Sequence, residues 1–398
     1  MDAEAPDAGT WRARVVGRIA AVDESAWDAC ARQASATANP FLRHRFLRTL
    51  EESGCVAART GWTPHHVVIE DASGRLIGAA PAYQKTHSQG EYVFDHGWAE
   101  AYEQAGGHYY PKLLVAVPFT PVPGPRLLTH PDQDAGAVRA ALLQALVAET
   151  ERLSLSSLHI NFCTEDEWAF LGECKLSLRT GEQFHWHNRG YDSFDAFLAD
   201  LASRKRKAVR KEREAAAAGG RITFEVLQGA APTEAHWDAF FAFYTDTGNR
   251  KWGRPYLNRK FFSLLGQSMA DAIVLVLAMR DGEPIAGALN LRGPDCLYGR
   301  YWGCTEYHPA LHFEVCYYQA IDYAIAHGLA RVEAGAQGPH KLARGYLPSR
   351  TFSGHWIADP ALRRAVDAYL VKERAYVDAE MKELGGHSPF RQVEDEQD

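Results

Sequence analysis

Leu76-Ile-Gly-Ala-Ala and Ile285-Ala-Gly-Ala-Leu are near copies of one apolar strand with an internal glycine. Each follows a tight turn, Asp71-Ala-Ser-Gly74 in the first case and Asp281-Gly282 in the second. They lie about 209 residues apart, room enough for a whole domain to intervene and then repeat. The surroundings repeat as well. The first half predicts strands over His66–Glu70, Leu76–Tyr83 and Glu91–Asp95, then a helix over Ala135–Leu153 and a strand over Ser157–Phe162. The second half predicts strands over Ile273–Met279, Pro284–Leu291 and Cys296–Trp302, then a helix over Pro309–His327 and a strand over Ala330–Ala334. A duplicated α/β (α+β) chain follows. Its two tandem domains should each hold a mixed, mostly antiparallel sheet flanked by helices. The expected boundaries are 1–190 and 191–384, with a polar, frayed tail over 385–398.

Composition narrows the function. A net charge of −7 leaves no overall basic surface, so any polyanion site must be a local patch. The seven cysteines are scattered, with no C-x-x-C pair, which speaks against a disulfide framework and a zinc site and fits a reducing, cytoplasmic setting. Met1–Thr10 lacks the basic start and apolar core of a signal peptide. The longest apolar run, Ala272–Met279, is eight residues, far short of a membrane span. A soluble chain is expected, with peripheral contact at the inner membrane still open.

The second long helix is the better specified. Phe313, Cys316, Tyr317, Ala320, Ile321, Ala324 and Ile325 follow helical spacing, with Pro309 near the start and Gly328 past the end. Cys316 on that stripe reads as core rather than as a nucleophile. Glu314 falls off the stripe in the first turn. It is either a complement to the helix dipole or a carboxylate facing a substrate. Another helix is predicted over Ser193–Ala218, with Phe194, Phe197, Leu198 and Leu201 as its buried face. Its middle, Arg204 to Arg213, holds seven cations and one acid. That imbalance reads either as a solvated face or as a seat for a phosphate-bearing partner.

Chemistry concentrates after the strand that follows this pair of helices. Glu333-Ala-Gly-Ala-Gln-Gly-Pro-His-Lys-Leu-Ala-Arg344 crowds Glu333, His340, Lys341 and Arg344 around a glycine-rich loop at a strand end, the usual address of sites in α/β proteins. No Ser-His-Asp signature or nucleophile elbow is present.

Several long motifs in one order then resemble a known family. Asn39-Pro-Phe41, Tyr109-Tyr-Pro-Lys112, Pro118-Phe-Thr-Pro-Val122 with Gly124-Pro-Arg126, His312-Phe-Glu-Val-Cys-Tyr-Tyr318 and the Glu333–Arg344 stretch look like those of FemAB-like "peptidoglycan biosynthesis/recognition" N-acyltransferases. The resemblance covers roughly residues 36 to 379. It implies two GNAT-like acyltransferase domains in tandem, the second opened by the basic helix. It also implies amide formation between an activated acyl group and an amine. Some members are linked to ceramide synthesis, so the leading expectation is a long-chain acyl-CoA co-substrate and a sphingoid base, with no bound cofactor and no metal. Fem-type relatives draw on aminoacyl-tRNA instead, which makes tRNA the partner under the alternative reading. A lipid or cell-wall binding module without catalysis is a third. No Gln/Arg-x-x-Gly-x-Gly/Ala loop precedes either long helix, so phosphates would be held by side chains.

Within that frame His340, Glu314, Glu333 and His159 are the catalytic candidates, since amide formation needs a group to take a proton from an amine. Lys341, Arg344, Arg204, Lys205, Lys207 and Lys211 are candidates for the donor's phosphates. Tyr110, Lys112, Asp95, His96, Trp98 and Tyr317 are candidates for lining the substrate. Glu333 could pair with Lys341 or His340, and a structural ion pair is the equal alternative. The remaining aromatic residues of the meanders, Tyr301 and Trp302 among them, read as an apolar groove or as core.

Overall fold

The protein is described from a computed structural model, covering residues 11–33, 39–251, 255–335 and 338–391. Met1–Thr10 and residues 392–398 of the expected tail lie outside the described residues. The chain divides into two compact units, residues 1–181 with 351–375 and residues 182–350 with 376–398.

The first unit holds two sheets. One is antiparallel and runs in the order β1 (Arg12–Val16), β3 (His66–Glu70), β4 (Leu76–Ala80) and β7 (Leu128–Thr129). The other joins β2 (Trp62–Pro64), β5 (Ala82–Lys85), β6 (Lys112–Val115) and β8 (Ser157–Cys163), with the Leu347–Ile357 strand antiparallel to β8. The single strand predicted over Leu76–Tyr83 is therefore two. Pro81 breaks it, because proline has no N–H to give to a ladder, and the halves enter different sheets. The helix Ala135–Arg152 is capped by Asp134, which accepts from the Ala137 amide at 2.6 Å, and buries Val138, Leu142, Leu143 and Leu146. β6 and β8, which flank it in sequence, pair in parallel.

Glu91–Asp95 is not a strand. Both carboxylates turn inward to one lysine, and these side-chain bonds replace a ladder.

The second unit repeats the plan. β10 (Ile222–Gln228), β11 (Ile273–Arg280), β12 (Glu283–Arg292) and β13 (Cys296–Cys304) form an antiparallel meander. β14 (Arg331–Glu333) pairs parallel to β13, and the end of β9 (Ser177–His187) is antiparallel to β14. Gly303 is required by close approach. A Cβ there would stand 2.1 Å from the Phe243 carbonyl oxygen on the helix Glu234–Lys251.

The helix expected over Pro309–His327 begins at Leu311. It passes through a π turn at Glu314–Tyr318 before the α-helix Gln319–Ala326. Such turns often mark functional positions. The helix expected over Ser193–Ala218 is broken into Phe194–Asp200 and Ser203–Ala216. Leu201 leaves the helical path to bridge Phe390, and the Ala202 amide donates to the Pro389 carbonyl. The start of the expected tail is thus ordered, with helix to Gly386 and Phe390 buried against Phe197. An aromatic anchor outweighs the polar composition around it.

Candidate active site

In the second unit β13 and β14 share only three register positions, Cys296 with Arg331, Leu297 with Val332 and Tyr298 with Glu333. β13 then continues to Cys304 while β14 ends, so the parallel pair parts at Gly299. Ala336 and Gln337, in the loop that follows, lie outside the described residues. Aromatic rings gather beyond the parting. The His312 ring centre lies 5.1 Å from Trp302, 5.3 Å from Tyr317 and 6.1 Å from His340. The Tyr317 hydroxyl and His340 Nε2 share a hydrogen bond of 2.9 Å.

His340 is exposed, on a short 3-10 helix Pro339–Arg344. Its neighbour Lys341 is buried. Nζ donates to the Gly335 carbonyl at 2.9 Å, and no carboxylate pairs with it among the described residues. Burial brings its pKa down to about 8. An ammonium with protons to spare, facing no acid, can donate to an oxygen that gains charge.

Three other predicted residues of this unit, Glu314, Arg344 and Glu333, are committed to ion pairs. Glu314 is buried and takes the Arg213 guanidinium on both oxygens, at 2.9 and 3.1 Å, with Gln319 at 2.8 Å. Arg213 also reaches Asp322 at 2.7 Å. Arg344 is held by Glu212 at 2.6 and 3.0 Å and stacks over the Phe313 ring at 3.4 Å. Glu333 pairs with Arg331 at 3.1 Å, not with Lys341 or His340, because it points along its own strand toward residue i−2. Burial raises its pKa, and Oε2 makes no hydrogen bond. Of the basic helix, Arg204, Lys207 and Lys211 are exposed and Lys205 half-buried.

The first unit brings five other predicted residues together, in its interior. Lys112, fully buried at the start of β6, donates to Ser88 Oγ at 2.7 Å, to Glu91 Oε2 at 2.8 Å and to Asp95. Ser88 continues to the Tyr110 hydroxyl at 2.8 Å. Asp95 Oδ2 also accepts from the Tyr109 hydroxyl at 2.7 Å. His159 Nε2 meets Ser157 Oγ at 2.8 Å, and its Nδ1 meets His355 Nδ1 at 2.7 Å. Trp98 covers the pair, its ring centre 5.0 Å from His355 and 6.4 Å from His159. Lys85 completes the cluster, 3.9 Å from Glu91 and 3.7 Å from the centre of the Trp62 ring. His96 starts a helix at the surface and takes no part.

Burial sets the electrostatics here. It brings Lys85 down to about 7 against the pull of Glu91, and lifts Glu91 to about 7 against the pull of Lys112. Burial opposes charge on Asp95 too, but the Lys112 ammonium prevails and holds Asp95 well below the usual carboxylate range. Burial and then the Lys112 charge bring His159 down to about 3. Ser157, His159 and Asp95 have the residue types of an acyl-transfer triad without its geometry. Serine and aspartate both approach Nε2, and Ser157 is fully buried. Lys85, Glu91 and His355 carry no motif that marks them in the sequence. A lysine closing an apolar strand, as Lys85 does, was the available signal.

Among the described residues no group of three or more His, Cys, Asp or Glu side chains could hold a metal ion. No helix there is long and apolar enough to cross a membrane.

A meander, a helix and a parallel strand pair are present in each unit, the pair of the second unit parting at Gly299, and they define a tandem GNAT-type acyltransferase fold. Several solved structures are similar to this chain. FemX is 12% identical, covering 87% of this chain and 98% of its own, with a TM-score of 0.55. The C-terminal domain of a putative lysylphosphatidylglycerol synthetase from Agrobacterium fabrum is 11% identical over 87% of this chain and 95% of its own, at 0.52. A tandem GNAT protein from the clavulanic acid biosynthesis pathway is 12% identical over 88% and 99%, at 0.47. No curated protein matches the sequence significantly. The family profile for FemAB-like proteins of peptidoglycan biosynthesis/recognition matches residues 18–392, and the chain belongs to that family.

Proposed function

We propose that this chain forms an amide by passing an acyl group from an activated ester or thioester to an amine, with the chemistry in the second unit. The observation that carries the reading is Lys341, a buried ammonium without a carboxylate, in the loop that follows the parting strands. A neutral amine attacks the donor carbonyl, and the carbonyl oxygen gains negative charge. Lys341 donates to that oxygen. The amine's surplus proton passes to His340, whose ring is hydrogen-bonded to Tyr317. Collapse restores the carbonyl and breaks its bond to the donor's oxygen or sulfur, and His340 returns the proton to that atom, so that the donor leaves as a hydroxyl or thiol.

Family membership favours a Fem-type reaction, with an aminoacyl-tRNA as donor and a peptidoglycan-type or peptide amine as acceptor. The exposed cation Arg204, with Lys205 beside it, suits a nucleic-acid phosphate chain. The aromatic wall of Trp302, His312, Phe313 and Tyr317 favours a second reading, in which long-chain acyl-CoA and a sphingoid base give a ceramide.

The test offers each donor in turn to the purified chain, charged tRNA with a peptidoglycan-precursor amine or palmitoyl-CoA with sphinganine. Mass spectrometry follows the amide, with Lys341→Met alongside. Product from tRNA alone that falls steeply with salt supports the Fem-type reading. Product from palmitoyl-CoA alone supports the lipid reading. Amide formation undiminished in Lys341→Met removes the proposed site.

A further inference from the structure

Arg204, Lys205, Ala208 and Glu212 share one face of the helix Ser203–Ala216, at the spacing that stacks side chains along a helix. Ala208 is small, and beside it opens a cavity of about 290 Å³. Arg204 and Lys205 stand at this cavity from the helix, Arg344 from the 3-10 turn Pro339–Arg344, with Tyr318 between them. Three cations thus face one carboxylate. Glu212 is spent on holding Arg344 and on accepting from the Tyr318 hydroxyl. Arg204 is exposed and Lys205 half-buried, and neither makes an ion pair among the described residues.

The helix itself sharpens the imbalance. Its first turn has no acid, and Ala202 at the cap has no side chain to accept from the free amides. Cations at the positive end of a helix dipole repel it, unless an anion sits among them. Arg344 is 92% buried at its side chain and braced by Glu212, so its guanidinium is fixed before any ligand arrives.

We propose that this cavity is a phosphate-binding site for the nucleotide end of the acyl donor. The inference rests on the acyl-transfer reading and narrows it. Of the six predicted phosphate ligands, Arg204, Lys205 and Arg344 make the site, while Lys207, Lys211 and Lys341 stand outside its lining. The shared chemistry is a phosphate next to an adenosine, which coenzyme A and the 3′ end of a tRNA both carry. Glu212 acts as a positioning residue that keeps Arg344 aimed at the cavity.

Calorimetric titration of the full chain with adenosine 3′,5′-bisphosphate, and separately with a short RNA ending in CCA, tests this without acceptor or turnover. Saturable binding of one of them is expected, and the one that binds identifies the donor class. Arg204→Ala with Lys205→Ala should weaken it at least tenfold. Lys207→Ala with Lys211→Ala, an equal change in charge, should cost less than twofold. Ala208→Leu, which fills the cavity without touching a charge, should abolish binding while thermal unfolding stays cooperative. Equal losses from the two charge pairs, or normal binding by Ala208→Leu, would overturn the site. So would absence of binding by either probe to a cooperatively folding chain. Since no amide bond is made in these titrations, their outcome stands apart from that of the acyl-transfer assay.

Discussion

His159 Nδ1 and His355 Nδ1 face each other at 2.7 Å across two antiparallel strands of the first unit. At that distance one nitrogen carries the proton and the other accepts it, so at least one ring is neutral, and burial disfavours charge on either. Burial first, then the nearby Lys112 charge, brings His159 down to about 3, and burial with His159 holds His355 well below its usual range. The unfolded chain therefore binds more protons than the folded one between about pH 6.5 and 3. The stability contributed is present above that window and is lost as pH falls through it. The melting temperature of the wild type should drop between pH 7 and pH 5 more than that of His159→Asn. Equal drops in differential scanning calorimetry would dismiss the pair as a source of acid sensitivity.

Among the described residues, Lys112 is the one partner within hydrogen-bonding distance that Glu91 shares with Asp95. Lys112→Met leaves both acids buried without it. Removing one side of a buried ion pair costs about 3–5 kcal/mol. Urea titration should show a loss of that order, partly recovered when Asp95→Asn is added. A loss under about 1 kcal/mol would mean that water reaches the cluster.

Lys341 should behave as a donor to developing charge. Lys341→Met is expected to lower kcat about 10²- to 10³-fold with little change in KM. Burial brings its pKa to about 8, and the ammonium is the working form, so activity should decline as pH rises through that value. In Lys341→Arg this alkaline limb should vanish. A limb that persists there belongs to another group.

Gly303→Ala would set a methyl group 2.1 Å from a backbone oxygen of the helix Glu234–Lys251, which cannot rotate away. Overpacking of this kind costs about 1–3 kcal/mol. Gly74→Ala is a useful contrast. It has open space around it and a φ of +82°, so only backbone strain is felt. A smaller loss of melting temperature for Gly303→Ala than for Gly74→Ala would show that the helix gives way.

The second meander, both long helices and the strands after them could be read from periodicity, whereas Glu91–Asp95 in the first has strand-like spacing and is no strand. Each needs only a local rule, one residue in two for strands or the helical stripe of Phe313 to Ile325. Pro81 is a strand breaker by an equally local rule. The break after Asp200 was not legible, because Phe194, Phe197, Leu198 and Leu201 keep a helical spacing through it, and Leu201 is drawn out by Phe390 from the far end of the chain. In the candidate site Lys341, His340 and Tyr317 were legible as a crowd of polar and aromatic residues near glycines.

The sequence by itself determined the duplicated α/β plan, the family and the inventory of charged residues, since these follow from local pattern and motif order. Only the tertiary structure decided what each charge does. Glu314 could have faced a substrate and is bound to Arg213, 101 residues away. His159 could have been a base and is paired with a histidine 196 residues away. Which strands and helices become neighbours decides whether a carboxylate meets water, a cation or an imidazole. Burial then fixes its protonation, and neither quantity is written in the spacing of residues along the chain.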